Sequence, residues 1–409
     1  MRVSRSWLSA WVSRMLASRI LILALLVIAA GCSQQKSTVS PAPPPEKPVI
    51  PPAIPERAEP SPEELAAARR QRLACEELTV AAVGDIMLGT DFPKNHLADD
   101  DAESMLRDVT PVLSGADITV GNLEGVLMDG GEPKKKCKDP DACYLFRSPS
   151  RYADRLADAG FDVMSLANNH ARDFGEDGRS ATMTALQDAG IMHSGRTGDV
   201  ASWQAGDIRI AFIAFAPFTD SWPMLDQEGG RSQVRLLAEN HDIVIVSFHG
   251  GAEGVDASHV PFATEYYYGE DRGNVVEFSR GMIDAGADLV LGHGPHVPRA
   301  MEIYRERLVA YSLGNFATYY GISVTGEKGY APILLATLDG NGRFVSGDVV
   351  SAVQMRPAGP RIDNRHRAYE MMRALTQEDF DGDAIRFLDG GQFHPEEPRA
   401  LQCGSRQSH

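Results

Sequence analysis

Positive charge is scarce in this chain of 409 residues, which has 40 lysines and arginines against 56 aspartates and glutamates and a formal net charge of −16. Nucleic-acid binding depends on a basic surface, so this balance argues against DNA or RNA as a partner. Two catalytic motifs are also missing from the sequence: a glycine-rich phosphate loop that ends in Lys-Ser/Thr, and a Gly-x-Ser-x-Gly nucleophile turn. The function has to be sought in other residues.

The apolar run near the N-terminus, residues 20–30, is shorter than the roughly 20 residues of a membrane span. Arginines precede it and a cysteine follows it, which is typical of an export signal. The stretch Ala29-Ala30-Gly31-Cys32 resembles a bacterial lipobox, at which the signal is removed and the cysteine is acylated. Ala29 stands where that pattern usually has leucine, and the alternative is an ordinary signal peptide that is cut nearby.

A lipoprotein signal predicts a cell-envelope protein that is anchored to a membrane by lipid at Cys32, with its domain in the periplasm or at the cell surface. Removal of residues 1–31 takes away four arginines and no acidic residue, so the formal charge changes from −16 to −20. Residues 32–62 are rich in proline and predict an extended, semi-rigid tether. We expect one domain over residues 63–360, starting with a short helix, and two short helices with a frayed tail over residues 361–409.

Cysteine is rare, with only five in the chain. If Cys32 carries lipid, Cys75, Cys137, Cys143 and Cys403 remain, and in an oxidising compartment they can form two disulfides. Cys137 and Cys143 flank a short lysine-rich loop, which favours a local bridge, and Cys75 with Cys403 would then join the two ends of the domain. A metal site is the alternative, but the spacing is unlike a zinc knuckle and no histidine lies close by.

From residue 78 onward, apolar strand-like runs alternate with helix-like segments, which indicates an α/β architecture. Several strand-like runs end in polar residues. These residues are Asp85, Asn122, Glu124, Asn168, Asn169, His170, His249, Glu253, His293, His296 and Asn315. In open α/β sheets the carboxyl ends of strands face a common crevice where ligands bind. Carboxylate, amide and imidazole donors gathered there suit divalent transition metals.

A charge such as that of Asp85 is costly at the end of a buried strand unless it has a strong partner, and a metal ion would be one. Taken singly, each residue has an ordinary explanation: a turn or cap residue, a left-handed turn position, an ion pair between Glu124 and the lysines at 134–136, or a hydrogen-bonded core histidine. These explanations would all have to hold at corresponding strand ends. We therefore favour a metal site.

Six short motifs make this sequence resemble a known family. They are "AVGDIML", "GNLEG", "SLANNHARDFG", "HGGAE", "GADLVLGHGPHV" and "YSLGNF", in the order found in the CapA family of poly-γ-glutamate capsule synthesis proteins, within the metallophosphatase-like superfamily. The resemblance covers residues 78–340. It implies a four-layer α/β/β/α sandwich of two mixed sheets, with divalent metal ions at the sheet edge, expected to be two ions of Mn, Zn, Fe or Mg.

The resemblance also implies roles for individual residues. The implied metal ligands are Asp85, Glu124, Asn169, His249, His293 and His296. His170 matches the histidine that assists the leaving group, and Arg172 and Asp173 follow it closely enough to orient it or to lie on the surface of the turn. The candidates for substrate contact are Asn122, Arg172, Glu253 and Asn315.

This chain departs from the family pattern at two positions. Met87 occupies a position where the wider superfamily has a metal-binding histidine. Gly294 directly follows His293, where family members often have a second histidine. Both departures remove a donor, so one of two metal positions would be weak or empty. The His-x-x-His spacing also leaves open which of His293 and His296 binds metal.

Three functions fit these residues. The first is a metal-dependent hydrolase that cleaves a phosphoester or amide bond in capsule or poly-γ-glutamate synthesis, processing or export. The second is a non-catalytic factor that binds an anionic polymer within a capsule-synthesis complex, and the third is a 5′-nucleotidase-like phosphoesterase. An acidic protein that acts on an anionic polymer needs metal ions and arginines such as Arg172, Arg272 and Arg299 to offset the repulsion.

Overall fold

The structure is a computed structural model that describes residues 61–136, 143–380 and 384–397. Its α-helices in these residues are α1 Pro62–Leu73, α2 Thr110–Leu113, α3 Tyr152–Asp158, α4 Gly175–Asp188, α5 Gln227–Asn240, α6 Val275–Asp284 and α7 Arg367–Asp379. Short 3-10 turns lie at Val255–Ala257, Gly326–Gly329 and Asp389–Gly391. No helix in the described part of the chain is both long and apolar enough to cross a membrane.

The strands follow in chain order. They are β1 Glu77–Met87, β2 Ile118–Leu123, β3 Val126–Leu127, β4 Arg147–Ser148, β5 Val163–Ser165, β6 Met192–Ser194, β7 Ala201–Ala205, β8 Ile208–Ala216, β9 Trp222–Pro223, β10 Ile243–His249, β11 Glu265–Tyr267, β12 Glu270–Gly273, β13 Leu289–His293, β14 Met301–Tyr304, β15 Arg307–Ala310, β16 Asn315–Thr318, β17 Tyr330–Asp339, β18 Phe344–Gln354, β19 Pro360–Ile362, β20 Ile385–Phe387 and β21 Gln392–Pro395.

Two large mixed sheets dominate the described residues. The ten-stranded sheet has the order β20-β21-β18-β17-β1-β2-β5-β6, with β16 beside β1 and β19 beside β18. The seven-stranded sheet has the order β14-β15-β13-β10-β8-β7, with β9 beside β8. Strand β1 runs parallel to β2 and β16 and antiparallel to β17, and β10 runs parallel to its neighbours β8 and β13. The parallel strands at the centre of each sheet are those whose ends carry the predicted site residues.

Strand alternation explains how the layers are filled. In β1, Val80 and Ala82 pack into the core between the sheets with Phe212 and Leu291 of the smaller sheet. The intervening Ala81 and its like-facing neighbours pack outward against the layer of α2, α3 and α4, as the two-residue period of a strand requires. Helices α5 and α6 cover the outer face of the smaller sheet. The predicted α/β sandwich of two mixed sheets with helices outside is confirmed.

Helix α6 shows how local sequence places an element of this sandwich. The Asn274 side chain accepts from the Glu277 amide at 3.1 Å and caps the first turn. The apolar residues Val275, Phe278 and Met282 recur at helical spacing and are buried. Gly286 follows the helix with a φ of 111°, a conformation that glycine adopts without a Cβ clash. The next strand, β13, then leads straight to the predicted metal site.

The C-terminal region differs from the expectation of two short helices. Among the described residues there, α7 is the only α-helix, and β20 and β21 form a hairpin in which β21 pairs with β18. The connecting residues include Gly390, with a φ of 87°, and the Asp-Gly-Gly sequence is a turn signal. Phe393 occupies the space beside Gly347, where a Cβ atom would lie 2.3 Å from its ring. The second predicted helix is therefore wrong, because burial of alternating apolar residues on the sheet outweighs helix propensity.

The start of the predicted domain and two of its cysteines lie in the described residues. Helix α1, Pro62–Leu73, is the expected first helix of the domain. Cys75 and Cys143 are both disulfide-bonded. Their predicted partners, Cys403 and Cys137, lie outside the described residues, so the pairing stays a prediction. The lipid site Cys32 and the proline-rich tether also lie outside them.

Candidate metal centre

The polar residues predicted at strand ends meet at one edge of the two large sheets. In the ten-stranded sheet, Asp85 of β1 lies opposite both Asn122 of β2 and Asn315 of β16. In the seven-stranded sheet, His249 at the end of β10 lies opposite His293 at the end of β13. Asp85 Oδ1 is 3.7 Å from His293 Nδ1, and all these side chains are buried. Strand ends of both sheets thus contribute to one cluster.

A close backbone contact places Asp85 in this cluster. The Asp85 amide donates to the Gly314 carbonyl oxygen at 2.9 Å. A Cβ atom on Gly84 would lie 2.0 Å from that same oxygen, so only glycine at 84 permits the approach. The Gly-Asp pair at the end of the apolar run therefore marks the point where β1 meets the residues before β16.

Asp85 is fully buried, and its two oxygens have different partners. Asn122 Nδ2 donates to Oδ1 at 2.9 Å, and His296 Nδ1 lies 2.9 Å from Oδ2. Burial raises the pKa of this carboxyl, but the hydrogen bond and charge of His296 and the neighbouring histidines lower it, to about 2. Asp85 is therefore an anion at neutral pH, as a metal ligand has to be.

Glu124, just after β2, is fully buried. Neither of its oxygens has a hydrogen-bond partner among the described residues. Its Oε1 atom is 3.7 Å from His296 Nε2 and 4.0 Å from His170 Nε2. Burial raises the pKa of Glu124 to about 8, opposed by His296 and assisted by the negative charge of Asp85. A bound cation would remove this penalty.

The two histidines at the ends of β10 and β13 also have ring nitrogens without hydrogen-bond partners among the described residues: Nε2 of His249, and both nitrogens of His293. Burial lowers the pKa of His249 well below its usual value, although Asp85 opposes the shift. Burial likewise lowers the pKa of His293 to about 4. Both imidazoles are neutral at pH 7, which is the form that binds metal. The lack of a hydrogen-bond partner among the described residues argues against the alternative that His293 is a hydrogen-bonded core histidine.

His296 is held in place by Asn315. The Nδ1 atom of His296 lies 2.9 Å from Asn315 Oδ1, and Asn315 Nδ2 donates to the His296 carbonyl oxygen at 3.2 Å. Burial lowers the pKa of His296, but Glu124 and Asp85 raise it more, to about 10. His296 is thus an imidazolium that partly neutralises the Asp85 carboxylate, with Glu124 Oε1 3.7 Å from its other ring nitrogen. A bound metal ion would take over this role and displace the proton.

Two asparagines at the end of β5 have different surroundings. Asn168 Nδ2 donates to Asn122 Oδ1 at 3.2 Å and to the Leu123 carbonyl at 2.9 Å, and its Oδ1 accepts from the His170 amide at 3.1 Å. Asn169 Oδ1 is buried without a hydrogen-bond partner in the described part of the chain. This is consistent with Asn169 as the predicted ligand. Asn168 positions its neighbours, a role that the sequence analysis did not assign.

Asn122 and Asn315 are predicted substrate-contacting residues, but both are fully buried in the structure. The Asn122 amide is bonded to Asp85 and Asn168, and the Asn315 amide also donates to the carbonyl oxygens of Ser323 and Lys328. The structure therefore gives both asparagines a positioning role. Their contact with substrate stays a prediction.

His170 and Asp173 form a buried pair beside Glu124. His170 Nδ1 lies 2.7 Å from Asp173 Oδ2, and the ring packs on Phe146 with centroids 4.2 Å apart. Asp173 Oδ2, the nearer partner of Nδ1, only accepts, so we assign the proton to Nδ1, which leaves Nε2 on the side of Glu124. Burial lowers the pKa of His170, and Asp173 opposes the shift. This is the arrangement expected of a general acid–base histidine.

The sequence analysis also missed Lys135. Its Nζ atom lies 3.1 Å from Asp173 Oδ1 and 3.3 Å from His170 Nδ1. The alternative in which Glu124 forms an ion pair with a lysine at 134–136 is therefore wrong for Lys135, which pairs with Asp173. The sequence shows only a lysine-rich run 35 residues before His170, and nothing in that run indicates which lysine reaches the site.

Charged residues at the mouth of the site are already paired. Glu253 accepts from Arg272 at 3.1 Å, and its other oxygen is 3.8 Å from His296 Nε2. Arg172 forms an ion pair with Asp220 at the surface. Glu253 is thus close to the centre, whereas Arg172 lies on the surface of the turn. Their contact with substrate stays a prediction.

The donors fit a divalent metal centre. One atom each from Asp85, Glu124 and His296 lies within 4.8 Å of the others. His293 lies 3.7 Å from Asp85 and opposite His249, and both histidines have ring nitrogens without hydrogen-bond partners among the described residues. Carboxylate, amide and imidazole together suit Mn, Fe or Zn.

Neither residue that departs from the family pattern supplies a metal-binding donor, and the weak or empty metal position expected from them stays a prediction. Met87 packs with Phe146 and Ile322 in an apolar group. Gly294 has a φ of 111°, and a Cβ atom there would lie 3.1 Å from the His249 ring. This backbone therefore resists a side chain at 294, and neither position supplies a donor.

Fold and site together define an α/β protein with a candidate centre for divalent metal ions. The family model described as bacterial capsule synthesis protein PGA_cap matches residues 79–320. The chain belongs to this family, and the resemblance seen in its motifs is confirmed.

Individual proteins show the same relationship. The chain is 28% identical over 261 residues to the capsule biosynthesis protein CapA of Bacillus anthracis, covering 62% of each protein. It is 27% identical over 284 residues to the PGA biosynthesis protein CapA of Bacillus subtilis, covering 65% of this chain and 70% of that protein. A 5′-nucleotidase precursor from Thermus thermophilus aligns with a TM-score of 0.38 and 14% identity, over 74% of this chain and 59% of that one. The chain thus spans less than two thirds of the length of the Bacillus anthracis relative.

Proposed function

We propose that this chain is a metal-dependent hydrolase of capsule or poly-γ-glutamate synthesis, acting on a phosphoester or amide bond of an anionic polymer. Family membership supports the process, since two relatives are named for capsule and PGA biosynthesis. One observation carries the chemistry: Glu124, His249 and His293 have buried donor atoms without hydrogen-bond partners among the described residues. Buried polar atoms are normally satisfied, so these atoms are suited to a ligand.

The metal ions and the chain's own residues would have different roles in the reaction. Bound ions, two in this proposal, would supply a Lewis acid and an activated water. His170 faces Glu124 through Nε2 and is held by Asp173 through Nδ1. When a second proton binds at Nε2, the resulting imidazolium is placed to give that proton to the leaving group and return to the neutral ring. Asn122 donates a hydrogen bond to the Asp85 carboxylate and accepts one from Asn168, so the two asparagines fix the position of that carboxylate. The fold does not decide between a phosphoester and an amide.

The arginines expected to offset repulsion of an anionic substrate are engaged elsewhere. Arg299 is fully buried and pairs with Glu265. Arg272 pairs with Glu253 and Glu270, and Arg172 pairs with Asp220 at the surface. Attraction of an anionic group would therefore fall to the metal ions, and we expect affinity for the polymer to depend on metal.

The first experiment is elemental analysis of the purified protein after reconstitution with Mn²⁺ or Zn²⁺. About two ions per chain are expected, with loss of metal in Asp85→Ala and Glu124→Ala. Glu239→Ala is the matched control, because Glu239 is an exposed acid at the end of α5. Turnover of an aryl phosphodiester and of a γ-glutamyl anilide would then identify the bond. A folded protein that binds no metal would contradict the hydrolase proposal.

A second candidate is a non-catalytic factor that binds polymer within a capsule-synthesis complex. It is favoured by Met87 and Gly294, which supply no donor at two positions where related proteins are expected to have one. Tight, metal-dependent binding of polyglutamate without cleavage of either test bond would support this function over the first.

The location in the cell envelope is part of the proposal. Cys32 as an acylated residue would hold the domain at a membrane through lipid, with the proline-rich tether as a spacer. The test is membrane fractionation of the full chain against Cys32→Ala. Release of the variant into the soluble fraction is expected, and unchanged membrane association would contradict lipid anchoring.

A further inference from the structure

Residues 134 and 135 lie directly on the turn that carries Asp173. The backbone amides of Lys134 and Lys135 donate to the Asp173 carbonyl oxygen at 2.8 and 3.1 Å. The Lys134 side chain passes over Gly175, whose φ is 70° and where a Cβ atom would lie 2.8 Å from Lys134 Cγ. Glycine at 175 therefore leaves room for this segment to dock.

The docked segment brings one ammonium group to a buried carboxylate. Asp173 Oδ2 accepts from the Phe146 amide at 2.8 Å and lies 2.7 Å from His170 Nδ1. Asp173 Oδ1 receives no conventional hydrogen bond among the described residues, but Lys135 Nζ lies 3.1 Å away in an ion pair. Lys135 is 26% exposed and Asp173 is fully buried, so the lysine compensates the carboxylate from the solvent side.

The two oxygens of a carboxylate are chemically equivalent, and only their surroundings decide which one faces His170. Without a charge at Oδ1, Asp173 would keep a buried oxygen without compensation, which is costly. Rotation of the carboxylate or entry of water would relieve this cost and would loosen the hydrogen bond to His170. Lys135 therefore has a means to act on the histidine through Asp173.

We propose that Lys135 is a positioning residue that fixes Asp173, and through it the ring of His170, for proton transfer at the metal centre. The inference rests on the proposed function of His170 as the proton donor. Lys135 lies on the Nδ1 side of the ring, whereas Glu124 and the centre lie on the Nε2 side. It therefore acts through the pair and does not contact the reacting atoms.

The first test follows the His170 ring in the metal-free full-length protein. In ¹⁵N-histidine-labelled protein, the Nδ1 proton donated to Asp173 should give a slowly exchanging, downfield resonance, assigned by its loss in His170→Gln. Lys135→Met should broaden this resonance or remove it, and Lys135→Arg should restore it. Lys134→Met is the matched control, since it keeps the backbone contacts and should leave the resonance unchanged. An unchanged resonance in Lys135→Met, or none in the wild type, would overturn the proposal.

The second test separates positioning from substrate binding. With the metal-loaded protein and aryl phosphodiesters, Lys135→Met should lower kcat about 10-fold or more for poor leaving groups and much less for good ones, because a good leaving group needs no proton. KM should stay nearly constant. A rise in KM that is equal for all leaving groups would overturn the proposal in favour of direct contact with an anionic substrate.

The two tests distinguish failure of this inference from failure of the proposed function. If no substrate is turned over but the ring resonance depends on Lys135, the hydrolase function fails and the positioning contact stands. If turnover is normal in Lys135→Met and the resonance persists, the hydrolase function stands and the role of Lys135 fails.

Discussion

Buried charge is handled in two different ways in this molecule. Outside the set of candidate metal ligands, Glu265 pairs with Arg299 at 3.0 and 2.8 Å and also accepts from the Ala252 amide at 2.9 Å. In the centre, Glu124 and His293 have no hydrogen-bond partner among the described residues. The same chain can satisfy a buried carboxylate, so the unpaired atoms are a local property of the site and are expected where a ligand binds.

The largest effect is expected when the buried ion pair between Glu265 and Arg299 is broken. Arg299→Met would leave Glu265 buried without its cation, and we expect the free energy of unfolding to fall by about 3–5 kcal/mol. Urea unfolding of the metal-free protein measures the change. Arg305→Met is the control, because Arg305 is 66% exposed in its pair with Asp284, and should cost no more than about 1 kcal/mol. Equal losses in the two variants would contradict the contrast between buried and surface pairs.

The next largest effect is expected when a metal ion binds at the candidate centre. A metal ion that binds only the folded protein at 100 times its Kd should raise the free energy of unfolding by about 2.7 kcal/mol. Differential scanning calorimetry with and without Mn²⁺ or Zn²⁺ measures this as a rise in Tm. His249→Ala and His293→Ala should lose most of the rise. A rise that survives both substitutions would place the metal elsewhere.

Glu124→Gln tests the cost of the unpaired carboxylate through pH. The pKa of Glu124 is about 8 in the folded protein against an ordinary 4.5, so the folded form holds this proton more tightly than the unfolded form. The metal-free wild type should therefore lose stability as pH rises from 4.5 towards 8, and glutamine removes this contribution. Between about pH 5 and about pH 7 we expect the variant to gain about 1–2 kcal/mol relative to the wild type. If the free energy of unfolding of the two proteins changed with pH in the same way, the pKa of Glu124 would not be raised in the folded protein.

The strand ends could be predicted because their signals are local. Gly84-Asp85 follows an apolar run, and the chain reverses soon after each such run, so polar residues at these positions meet wherever the strands are parallel neighbours. The hairpin of β20 and β21 escapes the sequence analysis because the aspartates before it can be interpreted as helix N-caps, whereas the Asp-Gly-Gly turn is only a short signal for strands. Its correct assignment depends on the pairing of Phe393 beside Gly347, which lies far away in the sequence.

The partners of charged residues could not be predicted in the same way. Lys135 is one of several lysines in its run, and its contact with Asp173 depends on how that segment docks on Gly175. In the sequence, Arg299 and Arg272 lie near predicted site residues. Their ion-pair partners depend on side-chain directions that are decided by packing. Composition indicates an acidic protein, and the residues at the strand ends indicate a metal site. The structure is needed to show which cationic side chains are already paired.

The smallest effect is expected for an ion pair of the exposed residue His259, which contrasts with the buried charges discussed above. His259 Nδ1 lies 2.7 Å from Asp379 Oδ1, and the histidine side chain is 60% exposed. The hydrogen bond to Asp379 raises the pKa of His259 against a small opposing effect of burial. The stabilisation from this pair should be fully present below the unfolded pKa of 6.5 and should be lost as pH rises through the folded value. His259→Gln should therefore lower the free energy of unfolding by no more than about 1 kcal/mol, and only on the acidic side. A loss that is larger, or equal at all pH values, would mean that His259 supports the fold by packing and not by charge.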